Sequence, residues 1–234
     1  MIEAHVASID WTAVQDGLAQ RGVACVPGVL QPGQCADLAE LYARDEGFRS
    51  RIVMARHGFG RGEYRYFSYP LPQLVQSLRA SLYPCLVPTA NRWNELLRLE
   101  PRYPQEHAAF LAQCHAAGQR LPTPLLLRYG TGDYNCLHQD IYGEQVFPLQ
   151  AAILFSVPGL DFEGGEFVMT EQRPRAQSRV EVLELHQGDL VLFAVRDRPV
   201  MGVRGSFRVK HRHGVSRLRS GQRHTLGIIF HDAV

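Results

Sequence analysis

Apolar residues recur at helical spacing through the first half of the chain, up to about residue 121. Asp10 predicts the cap of a helix over residues 11–20, which Gly22 ends. Pro32 predicts the first turn of a second helix that reaches about Asp45. Further helices are predicted in LPQLVQSLRASLY, NRWNELLRL and PQEHAAFLAQCHAAG, each bounded by Pro or Gly. A strand in VACVPGVL and a hairpin in RIVMARHGFGRGEYRYFSY complete this half.

From residue 122 the pattern changes to short apolar runs separated by Gly-containing turns. The predicted strands are PLLLRYG, FPLQAAILFSV, GEFVMTEQ, VEVLEL, GDLVLFAV, FRVKHRHGV and HTLGIIFH. Their length and spacing are typical of a β-sandwich or barrel. We therefore predict an α+β protein with a mainly β core and helices packed outside it. The predicted organisation is one domain over residues 1–234, with a helix-rich support over 1–121, a hairpin at about 50–69 and a β core over 122–234.

The composition supports a folded protein without a membrane segment. A chain of 234 residues with 45% hydrophobic content can fill a core. No apolar run reaches the roughly eighteen residues of a membrane-spanning helix, and the N-terminus MIEAHVASIDW lacks the pattern of a signal peptide. A cytoplasmic protein is expected. The five cysteines are scattered without a Cys-x-x-Cys pair, which favours neither a disulfide framework nor a structural zinc site.

Charge is distributed unevenly along the chain. Residues 173–223 contain twelve basic side chains and four acidic ones, whereas the remainder contains thirteen and nineteen. Such a basic segment could face an anion such as DNA. All but one of the basic residues are arginines, which bind phosphates and carboxylates well, although an arginine bias also follows from the nucleotide composition of a genome. Both interpretations stay open at this point.

A candidate metal site begins in LHQDIYGEQ, where His138 and Asp140 are two positions apart. On a strand, such residues project from the same face and could hold one ion. The pair alone is common by chance, so a third ligand is required. Two histidines and one carboxylate on one face are typical of non-haem Fe(II) oxygenases, whereas zinc more often takes tetrahedral His or Cys sets. The downstream candidates for the third ligand are His186, His211, His213, His224 and His231.

The stretch KHRHGVSRLRSGQRHTLGIIF offers both a ligand and an anion partner. Alternation places His211 and His213 on one face of a strand. We expect a turn at Ser220–Gly221 to bring Arg223 onto a neighbouring strand, where its guanidinium could bind the far carboxylate of a dicarboxylic cosubstrate. The alternative for each histidine is a satisfied core or surface residue, and for Arg223 an ordinary solvated side chain.

These motifs resemble those of Fe(II)- and 2-oxoglutarate-dependent dioxygenases. LLRYGTGDYNCLHQD resembles the metal-site region of AlkB-type repair dioxygenases, and GDLVLF followed by HGVSRLRSGQR resembles the C-terminal half of prolyl-hydroxylase-like members. Over its whole length, in RHGFGRGEYRYFSYP, PTPLLLRYG and RHTLGIIFHDA, the chain is similar to a prokaryotic oxygenase family described as acting on alkylated, damaged DNA. The resemblance implies a double-stranded β-helix (jelly roll, cupin-like), an iron cofactor, and 2-oxoglutarate and O2 as cosubstrates.

The resemblance also assigns roles to individual residues. The implied iron ligands and catalytic residues are His138, Asp140 and His213, with His211 as a reserve ligand. Arg223 would bind the distal carboxylate of 2-oxoglutarate, and Tyr129 would donate a second hydrogen bond to it. The sequence departs from the AlkB pattern at two positions, where Leu127 replaces an Asn and Ile229 replaces a second Arg.

The predicted hairpin is the candidate substrate-binding element. Arg61 and Arg65 could pair with phosphates, and Tyr64 and Tyr66 could stack on an extruded base. Alternating aromatic residues on a strand are equally typical of core packing. The leading prediction is oxidation of alkylated nucleobases in DNA, followed by hydroxylation of a protein or prolyl side chain and then of a small metabolite. Two other classes remain open, namely a metal-dependent hydrolase and a non-catalytic, metal-binding β-sandwich protein.

Overall fold

The computed structural model describes residues 2–100, 102–203 and 205–234. The helices are α1 (Ile2–Ala7), α2 (Trp11–Arg21), α3 (Pro32–Glu40), α4 (Gln73–Leu97) and α5 (His107–Ala116), with short 3-10 helices at Leu41–Ala43 and Met54–Arg56. The first strands are β1 (Val23–Val26), β2 (Phe48–Val53), β3 (Gly60–Arg61), β4 (Glu63–Phe67), β5 (Leu125–Gly130), β6 (Tyr134–His138) and β7 (Leu149–Leu154). The remaining strands are β8 (Phe162–Gly164), β9 (Phe167–Gln172), β10 (Arg179–Leu183), β11 (Leu190–Ala194), β12 (Asp197–Gly202), β13 (Gly205–Val215) and β14 (Leu218–Ile229).

The strands form two mainly antiparallel sheets. The major sheet has eight strands in the order β1-β11-β7-β14-β5-β4-β2, with β8 paired to β14 outside this path. The minor sheet has six strands in the order β10-β9-β13-β6-β3, with β12 paired to β13. Neighbouring strands in each sheet are often distant in sequence, as β7 and β14 are in the major sheet. This arrangement is typical of a double-stranded β-helix. The predicted class, a mainly β core with helices outside it, is confirmed.

Helix α2 begins and ends where its sequence predicts. The Asp10 side chain accepts a hydrogen bond from the backbone N–H of Ala13 at 3.1 Å. Gly22 at the other end has a left-handed conformation with φ of 78°, which costs glycine no steric clash. Its N–H donates to the carbonyl of Leu18 at 3.0 Å, so the helix ends with a satisfied carbonyl.

Helix α4 corrects the prediction of two separate helices in this region. Pro84 and Pro88 lie inside one helix of 25 residues. A proline removes one backbone hydrogen bond and clashes with the preceding turn, which usually ends a helix. Here side chains on both sides of the prolines are buried in the same core, among them Leu82 and Trp93. Burial of this continuous face outweighs the local cost of the two prolines.

The chain reversal after β13 also differs from its prediction. Ser220 and Gly221 lie within β14, and the chain turns earlier, between Val215 and Leu218. Strands β13 and β14 do not pair, because β13 belongs to the minor sheet and β14 to the major sheet. The connection therefore crosses from one sheet to the other. Gly221 has a positive φ of 80°, and a Cβ at this position would clash with the backbone of Asp161.

Two buried layers hold these elements together. Between the sheets lies a cluster that contains Tyr129, Met169 and Phe193. On the other face of the major sheet, the helices pack through side chains such as Leu78, against strand residues such as Ile153. The helices thus cover the major sheet, and the cleft between the two sheets is left for the site.

A buried ion pair joins the helical layer to the end of the chain. The side chains of Arg79 on α4 and Asp232 are both fully buried, with 2.9 Å between the guanidinium Nη2 and the carboxylate Oδ1. Arg79 also donates to the carbonyl of Ile229 at 2.9 Å and to the hydroxyl of Tyr69 at 3.0 Å.

Among the described residues, no helix combines the length and the hydrophobicity needed to cross a membrane.

Candidate metal centre and cavity

Three side chains that are distant in sequence converge between the two sheets. The ligand atoms of His138, Asp140 and His213 all lie within 4.8 Å of one another. The Nε2 atom of His138 is 3.6 Å from Oδ1 of Asp140, and the Nε2 atom of His213 is 3.4 Å from Oδ2. One carboxylate and two imidazoles therefore face a common point, and they are the three residues that the resemblance implies as iron ligands.

The register of the minor sheet brings the two histidines together. His213 on β13 is paired directly with His138 on β6, and the centroids of the two rings are 4.2 Å apart. Asp140 has a different origin, because β6 ends at His138 and the carboxylate belongs to the loop that follows. The expectation that His138 and Asp140 share one strand face is therefore wrong, although both side chains reach the same point.

The hydrogen bonds of His138 determine which nitrogen is available to an ion. Its Nδ1 lies 2.8 Å from the carbonyl of Cys136, which can only accept, so Nδ1 carries the proton. Nε2 is then left with a free lone pair. In His213, burial and the neighbouring imidazole of His138 lower the pKa of the ring, which favours the neutral form that binds metals. The buried Nδ1 of His213 has no hydrogen-bond partner in the described part of the chain.

Asp140 is held in its ionised form. Burial opposes ionisation, but the hydrogen bond with His213 and the nearby imidazoles outweigh it and lower the pKa of this carboxyl. The hydroxyl of Tyr142 donates to Oδ1 at 2.8 Å, and the side chain of Gln150 on β7 also lowers the pKa of this carboxyl. The ionised carboxylate is the form that binds a cation, and a bound cation would displace the imidazole protons that stabilise it here.

Arg223 lies deeper in the same cavity, on β14 of the major sheet. It is 2% exposed, and its Nη1 donates to the hydroxyl of Thr225 at 2.5 Å. Its Nε has no partner, and among the described residues no carboxylate lies within ion-pair distance of the guanidinium. A buried cation without a counterion is costly. An anionic group bound in the cavity would neutralise the charge of this guanidinium.

Tyr129 is the neighbour of Arg223 across the ladder between β5 and β14. The ring is fully buried, and the guanidinium of Arg223 is centred 5.7 Å from it. Burial raises the pKa of the Tyr129 phenol, so the hydroxyl keeps its proton and can donate. The hydroxyl accepts a hydrogen bond from Asn135 at 3.3 Å, which leaves its own proton for a bound anion.

The cavity above these groups has a volume of about 380 Å³. One wall is aromatic, because Tyr64 and Tyr66 both point from β4 into the space. Their rings meet edge to face, with centroids 5.4 Å apart. Phe59 lies at the mouth, where 47% of its surface is exposed. The volume and the mixture of apolar walls with a few polar groups are typical of a small-molecule site.

The two arginines predicted for substrate binding lie in different places. Arg61 on β3 is largely exposed, 3.9 Å from the carboxylate of Asp133. Arg65 projects from the opposite face of β4, away from Tyr64 and Tyr66, and its guanidinium lies over the ring of Tyr42 at 5.1 Å. The structure therefore groups the two tyrosines with the metal ligands and leaves Arg65 outside the cavity.

His211 is also separate from the metal group. It is 1% exposed and accepts a hydrogen bond from Nε of Arg198 at 3.3 Å. Arg198 in turn pairs with Glu171 at 2.5 Å. The alternation that places His211 and His213 on one face is correct, but two residues along β13 carry His211 toward the end of α2, where its ring lies next to Gly22.

The cavity residues that were not identified from the sequence include Asn135, Tyr142, Gln150 and Thr225. Gln150 carries a visible signal, because it is a polar residue inside the apolar run FPLQAAILF and a buried amide needs partners. Tyr142 follows Asp140 by two positions. Nothing in the local sequence marks Asn135 or Thr225, since their importance depends on contacts with Tyr129 and Arg223.

The residues present fit an octahedral cation and a dicarboxylate. Two imidazole nitrogens and one carboxylate suit Fe(II) with open coordination positions. The uncompensated guanidinium of Arg223 and the hydroxyl protons of Thr225 and Tyr129 are donors for a carboxylate in the same cavity. This donor set fits the iron and 2-oxoglutarate that the family resemblance implies.

Comparison with known proteins finds one matching family and related proteins. Residues 62–233 match the model of a family described as an oxygenase catalysing oxidative methylation of damaged DNA. The chain is also 50% identical over 167 residues to an uncharacterised protein found in two strains of Mycobacterium tuberculosis. That match covers 71% of this chain and 72% of the relative.

Solved structures show the same fold at low sequence identity. A prolyl-4-hydroxylase from Pseudomonas putida superposes with a TM-score of 0.53 and 16% identity, over 97% of this chain and 96% of the other. A 2OG-Fe(II) oxygenase family protein from Burkholderia pseudomallei gives 0.54 and 15%, over 97% and 94%. A prolyl hydroxylase from Trichoplax adhaerens, solved with a peptide of hypoxia inducible factor, gives 0.54 and 14%, over 97% and 88%. These superpositions confirm the predicted double-stranded β-helix fold.

Proposed function

The chain belongs to the oxygenase family that its residues 62–233 match, and from this premise we propose that it oxidises alkylated nucleobases in DNA, using Fe(II), 2-oxoglutarate and O2. The observation that carries the proposal is the convergence of three ligand side chains within 4.8 Å at the base of a cavity that also contains an unpaired, buried arginine. A purely structural metal site has no use for a buried arginine that can bind an anion. A non-catalytic metal-binding protein has no use for coordination positions that three protein ligands would leave open.

The residues divide the work between them. His138, Asp140 and His213 would hold the iron, and Arg223 would bind the distal carboxylate of 2-oxoglutarate. Tyr129 and Thr225 lie next to Arg223 and would donate further hydrogen bonds to that carboxylate. Bound iron with its cosubstrates supplies the oxidation of a C–H bond, with succinate and CO2 as coproducts. The protein aligns the substrate carbon and keeps water out of the cavity.

An alkyl group on a ring nitrogen is a suitable target for this chemistry. Insertion of one oxygen atom into an N–CH3 group gives N–CH2OH, which breaks its C–N bond to release formaldehyde and restore N–H. The net result is removal of the methyl group. The aromatic wall formed by Tyr64 and Tyr66 offers a stacking surface for a planar base. The family's description, which refers to damaged DNA, supports the same substrate class.

The test is turnover of 2-oxoglutarate by the Fe(II)-loaded protein in three substrate pools. These are a methylated single-stranded oligonucleotide, the same oligonucleotide without methyl groups, and a proline-containing peptide. We expect the methylated oligonucleotide to stimulate succinate formation and to release formaldehyde in equal amounts. If only the peptide stimulated succinate formation, the substrate would be a prolyl or other protein side chain and the proposed DNA substrate would be wrong. Absence of succinate in all three pools, with iron bound, would overturn the oxygenase mechanism at this site.

Binding to DNA has an independent signature in its salt dependence. Each phosphate contact with a single strand adds about −0.7 to the slope of log affinity against log salt. Arg61 lies on β3, beside the strand β6 that carries His138, and its side chain is exposed. We expect Arg61→Ala to flatten the slope by about one contact. Arg92→Ala is the matched control, because Arg92 is equally exposed on α4 and does not line the cavity.

A further inference from the structure

Asp140 is the ligand whose position the sheets do not determine. His138 and His213 are paired in the ladder between β6 and β13, so the backbone hydrogen bonds of the minor sheet hold them. Asp140 lies in the loop of residues 139–148, which joins β6 to β7 without regular secondary structure. A metal ligand in such a loop needs other contacts to hold its carboxylate before an ion binds.

The hydroxyl of Tyr142 supplies such a contact. Its oxygen lies 2.8 Å from Oδ1 of Asp140. A carboxylate can only accept, so Tyr142 must donate its proton to Asp140. The hydroxyl of Tyr66 donates to Tyr142 in turn, at 3.0 Å. The direction of both hydrogen bonds is therefore set. Together they connect the aromatic wall on β4 to the carboxylate of Asp140.

Around Gly143, the backbone of the same loop is held by the buried side chain of Gln119. Its Nε2 lies 2.8 Å from the carbonyl of Tyr142 and 3.0 Å from that of Gln145. Its Oε1 accepts from the N–H of Gln145 at 2.7 Å. Gly143 passes so close to Gln119 that a Cβ there would lie 2.4 Å from the amide carbon. Both the backbone and the hydroxyl of Tyr142 are thus held from outside the loop.

We propose that Tyr142 is a positioning residue of the metal centre, and that Gln119 and Tyr66 hold it so that its hydroxyl orients the Asp140 carboxylate toward both histidines. This inference rests on the proposed metal site. Removing an outer hydrogen-bond partner of a metal ligand typically lowers affinity about 10- to 100-fold. Tyr142 acts through Asp140 and is not itself a ligand.

The experiment titrates the metal-free, full-length protein with Co(II) alone and follows binding by calorimetry and by the visible spectrum of the bound ion. We expect Tyr142→Phe to lower the Co(II) affinity about 10- to 100-fold and to alter the spectrum. The matched control is Tyr103→Phe, because the hydroxyl of Tyr103 donates to the carbonyl of Val146 in the same loop at 2.7 Å. It removes one hydrogen bond from the loop and none from Asp140, so its affinity should equal that of the wild type.

A second measurement uses the wild-type chain and no variant. If the loop is positioned before the ion arrives, the N–H groups of Gln145 and Phe147, which donate to Gln119 and His231, exchange slowly with deuterium in the metal-free protein. Rapid exchange that slows only when Co(II) is added would overturn the inference. Equal Co(II) affinities for the wild type and Tyr142→Phe would do the same. If the wild type bound no Co(II) at all, the proposed metal site itself would fail.

Discussion

Two histidines two positions apart on β13 have different environments, although the sequence presents them alike. His213 faces Asp140 and His138, whereas His211 is bonded to Arg198. We expect His213→Ala to abolish Co(II) binding, because it removes one of three protein ligands. His211→Ala should bind Co(II) as the wild type does, while the partners left without a hydrogen bond lower the free energy of unfolding by about 1 to 3 kcal/mol. Calorimetry and urea unfolding on both variants measure the two quantities.

The reverse outcome for this pair would be decisive. If His211→Ala lost the metal and His213→Ala kept it, the register of β13 would be shifted by two residues. Asp140→Ala and His138→Ala serve as positive controls, since both should lose the metal together with His213→Ala.

The buried charge of Arg223 is the feature of the cavity that most clearly calls for a bound anion. Its guanidinium is buried without a carboxylate partner in the described part of the chain, and burial lowers its pKa to about 10, so it stays charged at neutral pH. We expect Arg223→Ala to weaken 2-oxoglutarate binding by about 2 to 3 kcal/mol, or roughly a hundredfold. Titration of the Co(II)-loaded protein with 2-oxoglutarate measures the change.

Arg219→Ala is the matched control for Arg223→Ala. Both residues belong to β14, but Arg219 is exposed. It should leave 2-oxoglutarate binding unchanged. Unchanged binding in the Arg223 variant would show that the anion site lies elsewhere.

Strand β4 shows how one element serves two surfaces. Tyr64 and Tyr66 face the cavity, and Arg65 between them faces Tyr42 and Phe48 on the opposite side. We expect Tyr64→Ala to weaken binding of a methylated single-stranded oligonucleotide by about 1 to 3 kcal/mol, because a stacking surface is lost. Arg65→Ala should leave that binding and its salt dependence unchanged, and should lower thermal stability instead.

Binding and melting measured on these two neighbouring variants separate the surfaces. A loss of oligonucleotide binding in Arg65→Ala, with Tyr64→Ala unaffected, would place the substrate on the other side of β4. The sequence alone predicts all four residues of the hairpin as substrate contacts, since alternation shows that two faces exist but not which one meets the site.

The whole molecule is expected to unfold as one unit, in accord with the single domain predicted from the sequence. The helices and the major sheet share one buried cluster, and the pair Arg79–Asp232 links α4 to the C-terminal segment. Both tryptophans, Trp11 and Trp93, lie in helices. Their fluorescence reports the helical layer, whereas far-ultraviolet circular dichroism also reports the sheets. The two urea transitions should coincide.

Breaking the buried pair should shift both transitions together. Arg79→Ala removes the buried guanidinium from Asp232, whose carboxylate keeps its contacts with Tyr69 and His115, and should lower the free energy of unfolding by about 3 kcal/mol. Two separate transitions, with only the fluorescence change shifted by Arg79→Ala, would contradict the single domain and divide the chain near residue 121.

Local sequence determined most of the elements of this protein and the residue types of its candidate site. Asp10 and Gly22 mark the ends of α2, alternation in FRVKHRHGV marks β13, and His138 with Asp140 marks half of the proposed metal site. Each of these signals depends on residues within a few positions of each other. Periodicity reports which side of an element is buried, and capping residues satisfy groups within one turn. For this reason the fold class and the ligand types could be predicted before the strands were assembled.

Only the tertiary structure decided which elements meet. The prolines within α4 were outweighed by burial that spans the whole helix, and β14 joined the major sheet instead of pairing with β13. The cavity lies between the sheets, so its composition depends on contacts between residues far apart in the chain, such as Tyr142 with Tyr66 and His138 with His213. These contacts form only when the two sheets pack together. No short stretch of sequence contains the information that places them.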